Sequence, residues 1–172
     1  MIFPTPAPSF DDPLGLLKAC HGRIRGHCDT LERLVVHVGE NGADDEARTA
    51  AERIRHYFVT AAPLHHQDEE DDLFPALRER DADLDVVMQN LEGQHQDMAR
   101  AWSALEPYLA APETAAADLA GFGRSVKTFC LLYRSHIEQE EAECFTHAPG
   151  LLDAEALERI GKAMAARRGA GA

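Results

Sequence analysis

A chain of 172 residues with 45% hydrophobic content is long enough to bury one self-sufficient core and is composed like a globular domain. Thirty acidic against 17 basic residues leave a formal charge of −13, which repels phosphate backbones and anionic headgroups and argues against direct nucleic-acid or membrane binding. The opening Met1-Ile2-Phe3-Pro4-Thr5-Pro6-Ala7-Pro8 has no basic or long apolar region, and no later run approaches the roughly 18 apolar residues of a membrane span, so a cytoplasmic location is expected.

Asp11-Asp12-Pro13 reads as an N-cap followed by proline in the first helical turn, and Asn41-Gly42 as a stop, which predicts a helix over about 12–40. Its core stripe is Leu14, Leu17, His21, Ile24, Cys28, Leu31, Val35 and Val38, in steps of three and four. A second helix starts near Asp44 and continues through Ile54, Phe58 and Ala61 into His65 and Glu69. Pro63 is expected to disturb it, because proline lacks an N–H and crowds the preceding turn. Asp83 caps a third helix with Leu84, Met88, Leu91, His95, Met98, Trp102, Leu105 and Leu109 on one face. After a turn at Ala111-Pro112-Glu113-Thr114, the fourth carries Leu119, Phe122, Val126, Phe129, Tyr133, His136 and Glu140, up to a stop at Pro149-Gly150. A fifth amphipathic helix over 153–168, with Leu157, Ile160 and Met164, is expected outside the bundle or against a second subunit. The first ten residues and Gly169-Ala170-Gly171-Ala172 are expected to be mobile.

Short connections favour antiparallel neighbours, so the expected fold is all-α: an up-down-up-down four-helix bundle with an additional short C-terminal helix. The corresponding organisation is a flexible arm over 1–11, the bundle over 12–148, and a helix and tail over 149–172. The four cysteines, Cys20, Cys28, Cys130 and Cys144, show no C-x-x-C spacing and fall at apolar helical positions, as reduced buried thiols do. Cys144 lies one turn past Glu140, within reach of an oxidant made at a metal centre.

The chemistry lies in a pattern that occurs twice. His65-His66-Gln67-Asp68-Glu69-Glu70-Asp71-Asp72-Leu73-Phe74 and His136-Ile137-Glu138-Gln139-Glu140-Glu141-Ala142-Glu143-Cys144-Phe145 both read H-x-x-x-E-E-x-x-x-F. Residues four apart on a helix share a face to within roughly 40°, so each histidine and its glutamate can grip one ion. His21 and His95 each stand on the helix before such a pattern, as if one helical hairpin were used twice, over 12–80 and 83–148. Four histidines and two carboxylates on apolar stripes would cost several kcal/mol per buried carboxylate without a partner, which a metal relieves. Six such donors are too many for one tetrahedral zinc and suit two octahedral ions, and the order His-x-x-x-Glu is not the Glu-x-x-His of ferritin-like centres. His66 and Glu92 are open alternatives for completing a coordination sphere. Glu70, Asp71, Asp72, Glu138, Glu141 and Glu143 read as solvated faces, and His27, His37, His56 and His147 as surface residues.

On these motifs, Cys20-His21-Gly-Arg-Ile, Pro63-Leu-His65-His-Gln-Asp-Glu69-Glu-Asp-Asp-Leu-Phe-Pro75, His95 and His136-Ile-Glu-Gln-Glu140-Glu, the chain resembles the hemerythrin-like HHE cation-binding family over about residues 12–148. The resemblance implies His21, His65, Glu69, His95, His136 and Glu140 as metal ligands. It also implies two non-haem irons bridged by Glu69 and Glu140, with an oxo or hydroxo bridge. Oxygen carriers of the family have another histidine one turn before the third-helix ligand, where this chain has Leu91. They have an aspartate five residues after the last histidine, where it has Glu141. Both departures favour binding or sensing of O2, NO or peroxide over reversible oxygen carriage. An enzyme consuming peroxide or NO, or repairing iron-sulfur clusters, is the alternative. Repair is disfavoured by the short segment before the first helix, and iron storage by a fixed set of six ligands. A homodimer is compatible with the fifth helix.

Overall fold

In the computed structural model, which describes residues 8–170, the Asp12 side chain accepts a hydrogen bond from the Gly15 N–H at 3.0 Å, and α1 runs over Pro13–Asn41. It ends at Gly42 with φ +73°, a left-handed conformation that glycine adopts without a Cβ clash. Asp44 caps α2, Asp45–Gln67, accepting from the Ala47 N–H at 2.8 Å. Contrary to the expectation for Pro63, α2 runs unbroken through it. The hydrogen-bond ladder changes five residues later, in a π-helical turn over Asp68–Leu73, before α3, Phe74–Arg78.

A 3-10 turn, Ala82–Leu84, leads into α4, Asp85–Ala110. The segment read as a turn after it opens a short helix, α5, Pro112–Ala117, because Pro112 is well placed in a first helical turn. Next comes α6, Leu119–Glu140, with a second π turn over Glu141–Phe145. Pro149 and Gly150, read as a stop, lie inside α7, Ala148–Leu151, and α8 covers Ala154–Arg167. The two π turns fall at the same place in the repeated pattern, where each glutamate pair begins or ends. Such turns insert an extra residue into the helical ladder and are found mostly at functional sites.

The four long helices close a ring, α1 against α2, α2 against α4, α4 against α6 and α6 against α1, in up-down-up-down order; no strand occurs among the described residues. No helix is long and apolar enough to cross a membrane. The buried apolar residues divide into two cores. One holds Ile24, Phe58, Met98, Phe129 and Ile137, the other Leu17, Leu73, Leu91, Cys144 and Met164. On each long helix the break between them falls at a histidine: Leu17-His21-Ile24, Ala62-His65-Leu73, Leu91-His95-Met98 and Tyr133-His136-Cys144. A polar layer thus crosses the bundle between two apolar blocks. All four cysteines are buried and free.

The C-terminal helix packs on the chain's own bundle. Ala156, Ile160 and Met164 of α8 join the second core, and Phe10 is half-buried beside them. A Cβ on Gly161 would meet the Phe10 carbonyl oxygen at 1.9 Å, so this close approach requires glycine. The expectation of a mobile N-terminal arm therefore fails at Phe10; the rest of it falls largely on residues 1–7, which, like 171–172, lie outside the described residues.

At the end of α8, Arg167 and Arg168 clamp Asp68, a fully buried carboxylate in the first π turn; Arg168 Nη1 lies 3.0 Å from Asp68 Oδ1, and Arg167 Nη2 reaches Asp72 at 2.9 Å. Replacing Asp68 by asparagine should destabilise the fold by about 2–3 kcal/mol, below the usual cost of breaking a buried pair because both arginines keep some contact with water. Denaturant unfolding of Asp68→Asn checks this, and an unchanged midpoint would show that the clamp does not hold α8 in place.

Candidate metal centre

The polar layer brings together all six residues singled out from the sequence. His21 and His65 are buried beside Glu69 and Glu140, and His95 and His136 are buried on the other side of Glu69. Two groups result, each with ligand-type atoms within 4.8 Å of one another: His21, His65, Glu69 and Glu140 in one, Glu69, His95 and His136 in the other. Glu69 belongs to both. Its Oε1 lies 3.0 Å from His65 Nε2 and 3.8 Å from His21 Nε2, while its Oε2 lies 3.4 Å from His95 Nε2. Glu140 Oε2 is 2.9 Å from His21 Nε2 and 3.8 Å from His136 Nε2.

The histidines present Nε2 to the centre because their other nitrogen is held from behind. His21 Nδ1 meets Glu141 Oε1 at 3.0 Å, His136 Nδ1 meets Gln94 Oε1 at 3.0 Å, and His95 Nδ1 meets the Glu70 carboxylate. An acceptor at Nδ1 requires the proton there, which leaves the Nε2 lone pair free for an ion. Gln94 is oriented by donating its Nε2 amide to Gln139 Oε1 at 2.8 Å, and Glu141 by two bonds from Arg25 at 3.0 and 3.1 Å. Glu70 and Glu141, read from the sequence as solvated, instead support His95 and His21. The signal for them was in the repeat: the second glutamate of each pair backs the histidine of a neighbouring helix that carries only one.

The remaining candidates separate. Glu92 pairs with Arg78 at 3.0 Å, away from the centre. His66 stacks on His95, with ring centroids 4.0 Å apart and planes at 10°, and its Nε2 is buried without a hydrogen-bond partner. Of the histidines read as surface residues, His56 and His147 are exposed, whereas His27 is half-buried against Tyr57, ring centroids 4.2 Å apart.

The polar layer fits a metal on its own chemistry. Both oxygens of Glu69, both of Glu140, His21 Nε2 and both ring nitrogens of His65 are buried and make no aligned hydrogen bond, close as some of them are. His95 Nε2 and His136 Nε2 lie 3.1 Å apart, and since each ring has its proton drawn to Nδ1, two lone pairs face each other, which a cation between them resolves. The ion-free cluster draws protons in compensation. Burial alone would push the His21 pKa down, but Glu140 and Glu69 outweigh it and raise it to about 9; His65 is likewise held well above its ordinary value, against burial, chiefly by Glu69. Burial, reinforced by the Glu69 charge, lifts Glu140 to about 7, and burial lowers His136 to about 3.

Residues 12–148 match the hemerythrin HHE cation-binding domain, and the chain belongs to that family. It is also 32% identical over 161 residues to a protein of Haemophilus influenzae described as uncharacterized, covering 93% of this chain and 92% of that one. Membership implies cation binding, and the buried histidine and glutamate cluster is the place able to hold it.

Proposed function

We propose that this protein holds two iron ions, one in each group of the polar layer, with His21, His65, Glu69, His95, His136 and Glu140 as ligands, and that it binds or senses O2, NO or peroxide there. The observation that carries this reading is the set of unpartnered atoms: two carboxylates and the facing imidazole nitrogens are buried with no hydrogen-bonding solution inside the protein. Leaving polar groups in that condition costs free energy that a native fold avoids. Imidazole and carboxylate together suit iron, and two ions of high coordination number use six shared donors better than one tetrahedral ion does.

Bound there, iron supplies an electron-exchanging Lewis acid for a small ligand. The chain's own residues do the rest. Glu69 and Glu140 balance the positive charge, and Glu70, Gln94 and Glu141 fix the direction of three imidazoles. Leu91, one turn before His95 and fully buried, adds no donor. The protein donors are therefore fewer than two octahedral ions take, and positions remain for an exogenous ligand.

Protein expressed in iron-replete medium should contain about two metal ions per chain, mainly iron, by elemental analysis. A reproducible single zinc without iron sinks the reading. In stopped-flow absorption the reduced protein should take up NO and oxidise in air without releasing O2 again under vacuum. Repeated turnover of NO or peroxide in the same instrument would make it an enzyme.

A further inference from the structure

The two groups differ in what surrounds them. The four-residue group is covered by packed side chains: Phe145 stands edge-on to His21, ring centroids 5.4 Å apart, and is itself buried. The three-residue group borders a cavity of about 190 Å³. Its walls are His66 and His95 on one side and Phe58, Met98, Trp102 and Tyr133 on the others, with Pro63 and Ala99 at the exposed rim and Ala62 buried in its wall. The group with fewer protein donors, and so with more positions for an outside ligand, is the one with space beside it.

Size and lining narrow the occupant. Liquid water takes about 30 Å³ per molecule and drug-sized ligands fill roughly 300–1,000 Å³, so this cavity admits molecules of a few heavy atoms and excludes metabolites of ordinary size. Its walls are mainly aromatic rings, methyl groups and a thioether. A polar solute would leave most of its water hydrogen bonds behind on entering, whereas a neutral diatomic gas has few to lose. One polar atom is free to meet the guest: His66 Nε2, buried and unpartnered, on a ring stacked against His95.

Resting on the di-metal reading, we propose that this cavity is the access path and holding site for a neutral diatomic gas, NO or O2 rather than peroxide. The gas meets the centre at the Glu69–His95–His136 side, and His66 Nε2–H acts as a positioning residue that hydrogen-bonds it.

The test uses the reduced, metal-loaded full chain with NO and, separately, hydrogen peroxide as probes, with metal content measured on every sample. Filling the cavity with Ala62→Leu should slow NO association about tenfold or more, the effect of a barrier raised by about 1.4 kcal/mol. Ala99→Phe, at the exposed rim where folding is not at stake, should slow it in the same direction. His66→Leu should leave the association rate near wild type and speed NO release about tenfold, the worth of one buried hydrogen bond. Trp102 is the only tryptophan, so quenching of its fluorescence by dissolved O2 in metal-free protein, reduced in Ala62→Leu, reports gas in the cavity without any metal. Metal-replete Ala62→Leu and Ala99→Phe chains with wild-type NO rates would overturn the proposal alone, and so would peroxide reacting faster than NO with equal sensitivity to the filling. A wild-type chain without metal would sink the underlying reading and this one with it.

Discussion

Glu69→Gln should empty both metal positions, while His136→Ala or Glu140→Gln should lower the metal content by about one ion per chain. Glu69 is the residue common to both groups, with one oxygen toward His21 and His65 and the other toward His95, whereas His136 belongs to one group and Glu140 to the other. An amide keeps the shape of the carboxylate but removes the charge and turns one acceptor into a donor, so it opposes a cation on whichever side the NH2 faces. Two ions that share one carboxylate also share its neutralisation, and losing it leaves two dications in a layer with a single buried acid. Elemental analysis of the three variants, purified in parallel, decides the matter. Two ions retained by Glu69→Gln would show that this carboxylate does not link the two groups. The apo fold should meanwhile tolerate Glu69→Gln well, because it deletes a buried charge that the ion-free protein must balance with protons.

The bundle and the polar layer were legible in the sequence because both rest on helical periodicity. Apolar residues at steps of three and four place His21, His65, His95 and His136 on core stripes, and the histidine that interrupts each stripe marks the depth at which the two apolar cores part. What periodicity could not deliver begins at the π turns. An inserted residue rotates everything after it, so a 3.6-residue count carried past Gln67 misplaces the acids that follow: Asp68 becomes fully buried and Glu70 comes against His95. Glu141, first residue of the other π turn, comes against His21 by the same shift.

The partner of α8 was illegible for a different reason. Leu157, Ile160 and Met164 announce an apolar face but carry no information about what it meets, since any apolar surface offers a similar gain. The specifying contacts are polar and distant in sequence. Arg167 and Arg168 close on Asp68 across about a hundred residues, and Gly161 admits the Phe10 backbone, neither of which a local pattern records. The cavity beside His66 was equally hidden, because it depends on the small side chains Ala62 and Ala99 of two different helices facing the same gap.

Stripping the metal should lower the melting temperature by at least about 10 °C at pH 7–8, and the gap should widen as pH rises. A ligand present at a thousand times its dissociation constant stabilises by about 4 kcal/mol per site, and a chain of this size moves about 2–4 °C per kcal/mol. The pH dependence comes from the ion-free protein. Its His21 pKa is raised from 6.5 to about 9, so the stability that protonated His21 contributes is complete below pH 6.5 and is lost as pH rises through 9. Glu140, raised from 4.5 to about 7, works in the same direction: the folded apo protein holds a proton that the unfolded chain has released, and stability falls with pH between those values. The metal-loaded protein needs neither proton, and deprotonated ligands bind the ion more tightly, so its stability is kept or rises over the same range. Melting curves of matched apo and metal-loaded samples from pH 5.5 to 9 should therefore diverge toward the alkaline end. Parallel curves, or a gap that closes with rising pH, would mean that the carboxylates in the polar layer are not balanced by a bound cation.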